Sequence, residues 1–94
     1  MDDLRSHHPP AHSAPIETER QASDAVRHIT DSRAGAGTWQ VGCHQLLEDT
    51  CRAAGVQLGA YDYRILYWLA EWEPSTVAVV ASLIRRAHEA GARA

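Results

Sequence analysis

The sequence predicts an all-α protein, and three observations carry that prediction. Apolar residues recur at i, i+3, i+4 and i+7 through the second half of the chain, the period of an amphipathic helix. Helix-ending signals punctuate that pattern at Gly55, Pro74 and Gly91. The β-branched Val77, Val79 and Val80 would also suit a strand, but their neighbours keep helical spacing and no hairpin turn accompanies them.

The 94 residues allow one small domain. A domain of this size hides only about 60% of its unfolded surface, so its stability is marginal and size alone leaves self-association open. All nine basic residues are Arg, and Lys, Asn and Phe are absent, a bias that suggests a GC-rich coding genome. Net charge is −3, and from residue 38 onward six acidic residues face five basic ones. No basic stripe offers itself to phosphate or to an anionic membrane. The longest apolar run, Val77 to Ile84, is far short of the roughly 20 residues of a membrane span. The Met-Asp-Asp start has no apolar segment to act as a secretory signal, so a cytoplasmic location is expected.

Residues 1–15 hold three prolines, three histidines and two serines, and read as a disordered tail. In residues 16–33, Ala22, Ala25, Val26 and Ile29 share a helical face, but only Val26 and Ile29 are large. A helix here would fray or need a partner. The run Ala34-Gly35-Ala36-Gly37 reads as a flexible joint, closing an N-terminal segment of residues 1–37.

A C-terminal domain of residues 38–94 then carries three helices, at about 38–54, 60–72 and 74–90. The first starts at Thr38 as N-cap and stops at Gly55 as the residue beyond the C-cap. Its apolar side holds Trp39, Cys43, Leu46, Leu47, Thr50, Ala53 and Ala54, and its other side His44, Glu48, Cys51 and Arg52. Gly42 weakens it by about 1 kcal/mol relative to Ala. The second helix gathers Tyr61, Ile65, Leu66, Trp68, Leu69 and Trp72 on one arc, read as its core face. Asp62 in its first turn suits the helix dipole. Pro74 ends this helix and opens the third, whose apolar face is Val77, Val80, Ala81, Leu83, Ile84, Ala87 and His88. The short connection at Glu73–Pro74 predicts that the second and third helices form the central hairpin.

Chemistry-bearing residues are sparse. Cys43 and Cys51 lie eight residues apart on one helix, about 12 Å, too far for a disulfide. His44, Glu48 and Cys51 could offer ligands pairwise, but His44 and Cys51 are two turns apart, so a solvated face with a His44–Glu48 contact is expected and no metal site. Cys43 and His44 are adjacent and point about 100° apart, which excludes a thiol–imidazole pair. No phosphate loop, HExxH, CxxC or nucleophile elbow occurs, so neither an enzyme nor a cofactor is expected. The row Tyr63, Tyr67 and Glu71 points away from the predicted core and is the candidate interaction surface. Arg64, Arg85 and Arg86 are the candidate nucleic-acid contacts of an alternative helix-turn-helix reading, against which Glu71 and Glu73 stand beside the reading head.

The run Leu58-Gly59-Ala60-Tyr61-Asp62-Tyr63-Arg64-Ile65-Leu66, with Trp68-Leu69-Ala70 and Trp72-Glu73-Pro74, resembles short uncharacterised helical proteins of actinobacteria and their phages. Their LGxYDxRIxxWLAxWEP run similarly precedes a valine- and alanine-rich helix ending near Arg-Ala-His, here Arg86-Ala87-His88. The resemblance covers roughly the last 40 residues. It implies actinobacterial origin and a two-helix organisation, and carries over no catalytic or binding residue. The expectation is a non-enzymatic interaction or regulatory module, self-associating or bound to a protein partner.

Overall fold

The computed structural model describes residues 14–31 and 36–93, with side chains described for 14–31 and 39–91. Among them the chain is all-α, with α1 Glu19–Ala25, α2 Arg27–Thr30, α3 Ala36–Ala53, α4 Ala60–Leu69 and α5 Pro74–Arg93. Most of the expected N-terminal tail, and Ala34 and Gly35 of the expected joint, lie outside the described residues. None of the described helices is long and apolar enough to cross a membrane.

The weakly patterned N-terminal stretch does form a helix, because its start is well capped. Thr18 Oγ1 accepts from the Gln21 N–H at 3.2 Å, and Gln21 Oε1 accepts from the Thr18 N–H at 3.0 Å. This reciprocal capping box satisfies two amide donors that a helix start otherwise leaves open. At Val26 the backbone leaves helical geometry (φ −113°, ψ 16°) and resumes as α2. The partner that α1 needs is α5: Ala22 and Val26 are buried against Ala78, with Ile16 and Val79 alongside.

Three boundaries differ from the expected ones. First, α3 begins at or before Ala36, so Ala36, Gly37 and Thr38 are helical and Thr38 is not its N-cap. Second, α4 ends at Leu69, not at Trp72. The Glu71 N–H bonds to Trp68 O and the Trp72 N–H to Leu69 O, each a tighter i to i−3 turn. The helix unwinds here because Glu73 precedes a proline and is driven out of helical geometry. Third, α5 runs through Gly91 to Arg93. Gly91 lacks the positive φ of a terminating glycine, and alanines flank it.

Gly55 does end α3, with φ +84°. The Gly55 N–H bonds to Arg52 O and the Val56 N–H to Cys51 O, both at 2.9 Å, the paired bonds of a Schellman motif. At the start of α5, Pro74 occupies the first helical position and the carbonyl of Glu73 accepts from the Thr76 and Val77 N–H groups.

The packing differs from the expected hairpin. The principal contact is α3 against α5, while α4 lies on α3 and hardly touches α5. The turn at Glu73–Pro74 sends α5 back along α3 and α1. The main core joins Cys43 and Leu47 of α3 to Ala70, Val77 and Ala81. Most of these are small side chains, which let helices approach closely. On α5 the buried stripe is Val77, Ala78, Ala81 and Ser82, because one edge faces α3 and the other faces α1. Leu83, Ala87 and His88, expected on the apolar face, are exposed.

The face of α4 is the largest reversal. Of its expected core arc, only Leu66 and Leu69 are half-buried, while Tyr61, Ile65, Trp68 and Trp72 are exposed. Hydrophobicity alone orients a helix toward its largest apolar side chains. Here the closely approached α3 accepts the narrow edge of Leu66, Leu69 and Ala70 instead.

Candidate interaction surface

The expected row Tyr63, Tyr67 and Glu71 splits. Tyr63 is half-buried, and its hydroxyl accepts a hydrogen bond from Arg52 Nη2 at 2.7 Å. The same guanidinium lies 5.8 Å from the Tyr63 ring centroid, within reach of a cation–π contact. Tyr67 is half exposed, but its ring meets His44 edge-on at 5.2 Å and its carbonyl accepts from Gln40 Nε2 at 3.2 Å. These two tyrosines therefore clasp the polar side of α3. Glu71 is exposed, beyond the end of α4.

The polar side of α3 is a chain of contacts. Glu48 Oε1 stands 3.1 Å from Arg52 Nη2, and Glu48 Oε2 stands 3.1 Å from His44 Nε2. The expected His44–Glu48 contact is thus present as a 3.1 Å approach, without a hydrogen bond. Among the described residues no three His, Cys, Asp or Glu side chains group as a cation site. Cys43 is buried on the apolar side, and burial raises its thiol pKa. Cys51, expected on the polar side, is buried too. Its pKa is raised by burial and then by the charge of Asp62. Both thiols are unpaired and poor nucleophiles in this form.

The candidate nucleic-acid residues do not form one row. Arg64 is exposed on α4, and Arg85 and Arg86 lie in the C-terminal half of α5. Arg86 Nε donates to Ser82 Oγ at 3.1 Å, while Arg85 is exposed.

On α4 and the turn after it, the stripe Tyr61, Ile65, Trp68 and Trp72, spaced i, i+4, i+7 and i+11, is open to solvent, while Val41, Val56 and Leu83 are exposed singly elsewhere. Trp68 and Trp72 are each 53% exposed and meet edge to face, with ring centroids 5.8 Å apart. At the Trp72 end lies a cleft of about 490 Å³ lined by Trp39, Gln40, Ala70, Glu71, Trp72, Glu73 and Pro74. The indole N–H of Trp39 is buried with no acceptor among the described residues. Glu71 and Glu73 have no ion-pair partner among the described residues. The stripe residues, expected on the core face of α4, are the ones that face solvent. Both edges of the α4 arc are apolar, so no signal within α4 itself marks the edge that packs.

No protein-family model matches this chain, and no curated protein or solved structure matches it either.

Proposed function

We propose that this chain is a non-enzymatic protein-interaction module that self-associates, with the α4 stripe as its contact face. The observation that carries the reading is the contiguous exposed row Tyr61, Ile65, Trp68 and Trp72. Single exposed apolar residues are ordinary, but an ordered row of large ones on a small protein is the composition of a contact surface. Tyr and Trp suit it because they lose little conformational freedom for the area they cover. The helix-turn-helix alternative gains no support, since α4 hardly touches α5 and Arg86 is bonded to Ser82.

Sedimentation equilibrium over a wide concentration range tests the reading. The mass should rise reversibly with concentration for the native chain and stay monomeric for Trp68→Ala. A flat monomer mass for the native chain would overturn self-association.

A further inference from the structure

We infer that the second copy docks antiparallel on α4, about a two-fold axis near Trp68, so that its Arg64 reaches the cleft carrying Glu71 and Glu73. This rests on self-association through the stripe. Arg64 lies on α4, and Glu71 lies two residues past its end in the i to i−3 turn that continues the same right-handed winding. Glu71 therefore stays on roughly the same flank as Arg64, about 10 Å further along the axis. That is too far for a pair within one chain, which needs three- or four-residue spacing. A two-fold axis perpendicular to α4 lays the same flank of both copies together, running in opposite directions. With the axis midway between residues 64 and 71, each Arg64 faces the other copy's Glu71. That midpoint falls beside Trp68, near the middle of the stripe from Tyr61 to Trp72, so the charge register and the apolar register agree.

The free charges match this arrangement. Arg64, Glu71 and Glu73 are exposed and lack ion-pair partners among the described residues. Asp62, on the other flank, is engaged by the Gly59 N–H at 2.8 Å. The stripe alone falls short of the area a stable dimer needs. At the roughly 150–250 Å² that an aromatic side chain can bury, the half-open stripe offers on the order of 500 Å². A stable dimer buries about 800 Å² per partner, so the contact must extend beyond the stripe. The cleft with Trp39 and Pro74 lies at one end of it and supplies that extension.

Charge reversal tests the register. Arg64→Glu and Glu71→Arg should each weaken self-association roughly tenfold, because two symmetric pairs turn from attraction to repulsion. The double variant Arg64→Glu with Glu71→Arg should restore it, with helix content by circular dichroism unchanged in all three. If Trp68→Ala abolishes association while neither single reversal weakens it, the register is wrong and the stripe contact stands. If the single reversals weaken association and the double variant fails to recover, the pairing is wrong. If the native chain is monomeric throughout, both the register and the self-association fall.

Discussion

A Cβ atom placed on Gly42 would lie 2.9 Å from Cγ2 of Ile29. The α2–α3 contact therefore uses the missing side chain. Gly42→Ala should gain about 1 kcal/mol of helix propensity but lose more to overpacking against a β-branched side chain that turns with difficulty. The net effect is a loss of about 1 kcal/mol in urea denaturation. In an Ile29→Ala background the same change should stabilise, and the double-mutant cycle reads that change of sign.

Val26 and Ala22 tie α1 to Ala78 of α5. Val26→Ala removes two buried methyl groups and should cost about 1.5 kcal/mol, at ~0.8 kcal/mol for each. Ala25→Ser, on the exposed side of α1, should change stability by less than about 0.5 kcal/mol. Equal losses at the two positions, read from thermal unfolding, would show that α1 is not docked.

The helical period, the proline at the start of α5 and the glycine after α3 were legible because each is a local signal. Facing was not legible for α4. Its apolar arc holds Tyr61, Ile65 and Trp68 on one edge and Leu66 and Leu69 on the other, and only the partner decides which edge packs. That partner presents Cys43 and Leu47 across a close contact, a property of three-dimensional approach. The Thr18–Gln21 capping box is also a local signal, but it marks where α1 starts and not what it packs against. Tyr63 and Tyr67 stand apart from the core in the helical projection, but their engagement of Arg52 and His44 depends on how α4 crosses α3.

Leu47 and Trp68 separate packing from exposure. Leu47 is fully buried, and Leu47→Ala should cost about 2–5 kcal/mol. Trp68 removes a larger side chain, yet Trp68→Ala should cost the monomer less than about 1 kcal/mol, chiefly its edge-to-face contact with Trp72. Denaturation at a concentration low enough to keep the chain monomeric checks the contrast. A Trp68→Ala loss as large as that of Leu47→Ala would return the stripe to the core.

The two thiols set an alkaline limit. Burial raises the pKa of Cys43 and of Cys51, the latter also through Asp62, so the folded chain keeps protons that the unfolded chain releases. Their contribution is fully present at neutral pH, below the ordinary thiol pKa of about 8.5. It should decline as pH rises above that value toward the raised folded-state pKa. The urea midpoint should fall between about pH 8 and 9.5, and fall less in the double Cys43→Ala, Cys51→Ala variant.

No residue within α4 is fully buried, while α3 and α5 share the main core. Opening α4 thus exposes little apolar surface, and the α3–α5–α1 packing can survive it. Amide hydrogens of α4 should exchange with deuterium through this local excursion, well before those of α3 around Leu47 and of α5 around Val77, which wait for global unfolding. The segment that presents the tryptophans is thereby loosely moored, and a partner seated on it would register first as slowed exchange along α4.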